Sequence, residues 1–132
     1  MADAVKVTIT DSAQNITAHM TCISDGTGET AVQKIARASY VIEGRTIQKF
    51  GLVSVRWSVQ GFSSVRLLFD HATDDVCMVM AGNGYDEFAD GYVDPNTSGD
   101  AVTGTIGDVL LTSVGATSGA TYDITAVYRK IG

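Results

Sequence analysis

The chain has 132 residues, 45% of them hydrophobic and 18% charged, with 14 glycines and one proline; this length supports one hydrophobic core, and this composition excludes a disordered tract or a fibrous repeat. A net charge of −6, with nine Lys and Arg residues scattered along the sequence, argues against nucleic acid or an anionic membrane as partner, since both are held by basic clusters. No apolar run is long enough to span a bilayer and no basic leader precedes an apolar stretch, so neither a membrane segment nor a secretory signal is expected.

Period-two alternation, the mark of strands with one buried face, dominates the chain. Val5, Val7 and Ile9 alternate with Lys6, Thr8 and Thr10, and Ile16, Ala18, Met20 and Cys22 alternate with Thr17, His19 and Thr21. The two runs predict an opening hairpin that turns near Asp11-Ser12. Thr30 to Ser39 admits a short helix instead of a strand, because Ala31, Ile35 and Ala38 fall near helical spacing. Val53, Val55, Trp57 and Val59 alternate with Ser54, Arg56, Ser58 and Gln60, which predicts a strand ending at Gly61 with Trp57 as a core anchor. Val65, Leu67 and Phe69 define another strand, followed by a polar turn over Asp70 to Asp75. Val76 to Met80 is apolar on both faces, the pattern of a central strand.

Gly82 to Gly107 is rich in Gly, Asp, Asn and Ser with Tyr85, Phe88 and Tyr92 interleaved. It predicts a long connection with at most short strands, and the place for specific contacts. Two closing strands, Asp108 to Val114 and Thr121 to Ile131, are joined by Gly115 to Gly119, with Tyr122, Ile124, Ala126 and Tyr128 on one face. The expected fold over residues 1–132 is all-β: a single-domain antiparallel β-sandwich or barrel with glycine-rich turns and at most one short helix.

Motifs that could carry chemistry are sparse. Gly26-x-Gly28-x-x-Ala31 is a relaxed dinucleotide fingerprint, but it lacks the βαβ context that places a pyrophosphate on a helix start, so a glycine turn is expected. Asp94, Asn96, Ser98 and Asp100 with Gly99 imitate the start of an EF-hand loop, yet Thr105 stands where a bidentate Glu is needed. Asp86, Glu87 and Asp90 lie nearby and leave a different calcium site open, beside the simpler reading of a solvated acidic loop. His71 among Asp70, Asp74 and Asp75 suits a metal or a base, but a turn explains it, and with His19 the only other histidine a multi-His site is excluded. Cys22 and Cys77 lie in apolar runs outside any CxxC and read as buried thiols. Asn15-Ile16-Thr17 and Asn96-Thr97-Ser98 match glycosylation acceptors, which have no use without a secretory route. No nucleophile elbow, zinc-protease helix or phosphate-binding loop occurs. No catalytic, cofactor-binding or metal-ligating residue is assigned, and neither enzyme activity nor a cofactor is expected.

The order of landmarks is more distinctive than any one of them. Ile23 to Lys34 (ISDGTGETAVQK), Val53-x-Val55-x-Trp57-x-Val59-Gln-Gly61, Val65 to Asp70 with Thr73-Asp74-Asp75, Gly82-Asn-Gly84, and the Thr112 to Ile124 stretch together resemble a group of small virion structural proteins of tailed bacteriophages, especially marine ones. The resemblance spans most of the chain and rests on turn glycines and strand alternation. It implies a virion component present in many copies, with capsid decoration (cement) on the major capsid protein the favoured role, made in the host cytoplasm and arranged as a homo-oligomer, with a trimer expected at local three-fold positions. Ala2 to Lys6 and the 82 to 105 segment are the expected contacts, the former as an arm that adds to a neighbour's sheet edge. The competing class is a tail- or fibre-associated module for a host-surface glycan, which requires Tyr85 or Tyr92 exposed beside Asp or Asn.

Overall fold

A computed structural model describes residues 4–36, 39–47, 49–70, 75–93 and 108–131. These residues form strands and turns without a helix. In chain order the strands are β1 (Ala4–Asp11), β2 (Asn15–Asp25), β3 (Val32–Ile35), β4 (Val41–Ile42), β5 (Arg45–Thr46), β6 (Lys49–Gln60), β7 (Ser64–Phe69), β8 (Asp75–Met80), β9 (Gly82–Val93), β10 (Val109–Val114) and β11 (Ser118–Ile131).

Two antiparallel sheets carry the architecture, one ordered β1-β2-β11-β6-β9 and the other β3-β10-β7-β8, with β4 and β5 as a separate two-stranded ribbon. The alternation of β2 sends Ile16, Ala18, Met20 and Cys22 inward, and that of β11 does the same for Tyr122, Ile124, Ala126 and Tyr128. These meet Val65, Leu67 and Phe69 of β7 and Val109 and Leu111 of β10 in one hydrophobic cluster that takes in both sheets. The molecule is therefore an all-β sandwich and not a closed barrel. Phe50 and Phe69 each meet the Tyr128 ring edge-on, at 6.0 and 6.3 Å between centroids, which locks the sheets together at that end.

The opening hairpin forms as expected, Ala4 pairing with Ile23 and Asp11 with Ile16, and Ser12 closes the turn by a backbone and a side-chain hydrogen bond to the Asn15 carbonyl. Residues 4 to 6 are thus held in an edge strand, not in a free arm; Ala2 lies outside the described residues. In β6 the expected phase holds from Val55 to Val59 and then slips: Val127 pairs with Ser54 but Tyr128 with Leu52, so a bulge at Val53 turns Leu52 and Phe50 into the core in its place. Trp57 is only half-buried and packs at the margin of the core, its indole N–H donating to the Ala81 carbonyl at 3.1 Å.

Two expectations are overturned, and one open alternative is decided. Within the Thr30 to Ser39 segment, which admits strand or helix, Val32 to Ile35 form strand β3, because Ala31 at φ +49° bends the chain out of the preceding turn and the next four residues pair with β10; residues 37 and 38 lie outside the described residues. Gly82 to Val93 is a twelve-residue strand rather than a connection. It tolerates Gly, Asn and Asp because it is an edge strand with a solvated flank, and Gly84 leaves room for the Trp57 ring. Finally, β8 is an edge strand, not a central one: Val76 and Val79 are 45% and 53% exposed, and only Cys77, Met78 and Met80 turn toward the core.

Candidate functional site

Because β2, β11 and β6 send their apolar residues inward, the residues between them form the outer face of the five-stranded sheet, and cross-strand register arranges them in rows. One row runs Thr8, His19, Thr125, Arg56, Tyr85; its neighbours run Thr10, Thr17, Val127, Ser54, Glu87 and Lys6, Thr21, Asp123, Ser58, Asn83. This face is rich in hydroxyls and carries Arg56 near its centre.

His19 Nε2 and Asp123 Oδ1 are 2.8 Å apart across adjacent rows. The Arg56 guanidinium lies 5.6 Å from the centroid of the Tyr85 ring, and Tyr85 donates its hydroxyl to Glu87 Oε2 at 3.2 Å. That hydrogen bond to Glu87 raises the Tyr85 pKa, aided by partial desolvation and the Glu87 charge and opposed by Arg56. Two shallow depressions flank Arg56, one of about 320 Å³ reaching Ser54, Tyr85 and Val127, the other of about 380 Å³ reaching His19, Ser58 and Asp123, with Thr125 common to both.

The outer face of the four-stranded sheet differs in chemistry. Leu110, Leu68 and Val76 stand in one cross-strand row, and the next row pairs Thr112 with Arg66 and Arg66 with Val79. Leu68 and Leu110 are buried although they lie outside the main core cluster, and Val76 and Val79 are open at the β8 edge.

Polar groups inside the sandwich are structural. Glu29 and Lys34 form a buried ion pair at 2.6 Å, side chains 6% and 1% exposed, and Tyr122 donates its hydroxyl to the same carboxylate. The segment Gly26 to Ala31 is a turn in which Ser24 Oγ and Asp25 Oδ1 accept backbone N–H groups and Gly28 has φ +79°; since β3 follows it, no helix start faces a phosphate. Lys130, also buried, donates to Asp11 and to the carbonyls of Ser12 and Val41, tying the last strand to the first hairpin and to β4. Sequence reasoning missed both lysines. For Lys130 a signal existed, because it continues the inward phase of Tyr122 to Tyr128; for Lys34 the phase was obscured by the helix alternative.

Other expected candidates scatter. Asp86 and Glu87 are side by side on β9, Glu87 committed to Tyr85, while Asp94 to Asp100, Thr105, and His71 to Asp74 lie outside the described residues. Asp70 adjoins β10 through its backbone N–H to the Asp108 carbonyl. Asn15 sits in the first hairpin turn, and Asn96 to Ser98 lie outside the described residues. Cys22 and Cys77 are buried and unbridged. Of the three aromatics, Tyr85 is 56% exposed and Phe88 packs against the core; the Tyr92 and Asp90 side chains lie outside the description. Among the described residues no three His, Cys, Asp or Glu side chains gather to hold a metal ion, and no helix is long and apolar enough to cross a membrane.

No family model, no curated protein and no solved structure matches the chain.

Proposed function

We propose that this chain is a bacteriophage virion structural protein, a capsid decoration (cement) protein that docks on the major capsid protein and stabilises the shell. The observation that carries the reading is the apolar edge of the four-stranded sheet. Val76 and Val79 are exposed on β8, whose outer edge pairs with no other strand among the described residues, next to the Leu68–Leu110 row. A valine pair and an open row of backbone groups offer a neighbour both apolar area and strand pairing. Burying the exposed half of each valine is worth about 1 kcal/mol, and a closed trimer on a local three-fold position multiplies that contribution while leaving no growing edge. The resemblance to small virion proteins supports the same reading. Each copy bridges capsid subunits, so expansion or rupture of the shell must first expose the buried contact.

The test is rebinding to particles assembled without the chain. Wild-type protein is expected to co-sediment in a fixed ratio to the major capsid protein. The Val76→Asp, Val79→Asp double variant, folded by circular dichroism, is expected to remain in the supernatant. Wild type left in the supernatant, or a variant that binds equally well, refutes the reading. A second reading, a tail- or fibre-associated module for a host-surface glycan, draws on the exposure of Tyr85 beside Glu87.

A further inference from the structure

The outer face of the five-stranded sheet has chemistry that attachment through β8 does not use. Arg56 stands at its centre between the two depressions; among the described residues its guanidinium contacts the Tyr85 ring and donates no hydrogen bond. The carboxylates in the two neighbouring rows have other partners, Asp123 with His19 and Glu87 with the Tyr85 hydroxyl. Each of these contacts uses one carboxylate oxygen and leaves the second free to accept. Ser54, Ser58 and Thr125 add hydroxyls that both donate and accept.

We propose that this face binds an acidic saccharide, a chain containing uronic acid, laid across the strands with a sugar carboxylate on Arg56 and a ring face on Tyr85. The row from Thr8 to Tyr85 crosses four inter-strand gaps, about 19 Å in all, an open track suited to several linked rings rather than to one enclosed ligand. Saccharides present apolar C–H faces and many hydroxyls together. The exposed Tyr85 ring suits the first, and Asp123, Glu87 and the serine and threonine hydroxyls suit the second. A guanidinium matches a carboxylate in two parallel hydrogen bonds, which gives the acidic ring its fixed place. Arg56 stands between rows that carry Asp123 and Glu87, on a chain of net charge −6, so the fitting ligand has single acidic rings spaced among neutral sugars, and a densely charged polyanion, whether phosphate, sulfate or an unbroken run of uronates, is disfavoured.

The inference does not rest on the capsid reading, since the β8 edge and this face lie on different sheets. Loss of sugar binding leaves lattice attachment unchanged, and loss of attachment leaves sugar binding unchanged.

The experiment is a titration of the full chain followed by two-dimensional amide NMR, with oligomers in which single galacturonate, glucuronate or mannuronate rings alternate with neutral sugars, a neutral galactose oligomer, and inorganic sulfate as probes. At least one uronate oligomer is expected to shift amides of β6, β9 and β11 around Arg56, Tyr85 and Thr125. Arg56→Gln and Tyr85→Ala are each expected to weaken that binding about tenfold or more, the loss of one charge-assisted contact or one stacking surface. Arg66→Gln, on the other sheet, is expected to leave it intact. The proposal is overturned if no uronate shifts these amides at millimolar concentration, if the neutral oligomer or sulfate binds as tightly as the uronate, or if Arg56→Gln, with an unchanged apo spectrum elsewhere, binds like wild type.

Discussion

Gly84→Ala is a sensitive test of the packing at the edge of the five-stranded sheet, because two effects of opposite sign compete there. In an unobstructed strand the change is favourable by about 0.5–1 kcal/mol, since alanine has less backbone freedom to lose than glycine. At Gly84, however, an added Cβ falls 2.2 Å from Cζ2 and 2.6 Å from Cε2 of Trp57, so the ring must move. The indole is a rigid plane held by its hydrogen bond to the Ala81 carbonyl and by packing at the core margin. Displacing it forfeits about 1 kcal/mol for the hydrogen bond and about 1–3 kcal/mol for overpacking. The net expectation is destabilisation by about 1–3 kcal/mol, a fall in the thermal midpoint of several degrees for a chain of this size. Trp57 is the only tryptophan, so urea unfolding followed by its fluorescence reads stability and ring environment together. A lower midpoint with red-shifted native emission is expected. An unchanged or higher midpoint with wild-type emission refutes the placement of Trp57 over Gly84.

Lys130→Met removes the donor shared by Asp11, Ser12 and Val41; leaving those acceptors without it is expected to cost about 3 kcal/mol, read as a shift in the urea midpoint. Glu29→Gln keeps the shape at Tyr122 but leaves the buried Lys34 ammonium without its counter-charge, and a loss of about 3 kcal/mol is expected by the same assay. The Tyr128 hydroxyl is buried with no hydrogen-bond partner among the described residues, so Tyr128→Phe is expected to be neutral or stabilising by up to about 1 kcal/mol at neutral pH. Burial, with a smaller contribution from Cys77, raises the Tyr128 pKa well above its ordinary value. The folded state therefore keeps a proton that the unfolded chain gives up, and the contribution is fully present below the unfolded pKa and lost as pH rises above it. Wild-type stability is expected to fall by about 1.4 kcal/mol per pH unit above about pH 10 from this group, and Tyr128→Phe to lose that part of the slope; an unchanged slope contradicts the burial.

Strands with one buried face were legible because the period-two signal is a direct record of burial. The inward sets of β2 and β11 follow from alternation alone, as does the hairpin at Asp11-Ser12. What alternation cannot show is where a strand sits in a sheet. Val76 to Met80 has the composition of a central strand, yet two of its valines meet solvent at an edge. The opposite error befell Gly82 to Val93, whose polar residues suit an edge strand as well as a loop. In Val32 to Ile35, pairing with β10 overrode the helical spacing. The Arg56–Tyr85 contact depends on the register between β6 and β9, a long-range fact that no local pattern records, although the exposure of Tyr85 was among the features sought for a glycan-binding module.

Cryo-electron microscopy of intact particles that carry the chain tests the capsid reading most directly. The account predicts density for a two-sheet β domain at repeating positions on the capsid lattice, with the β8 edge turned toward the major capsid protein. Density confined to the tail or fibres, or a bare lattice, contradicts it.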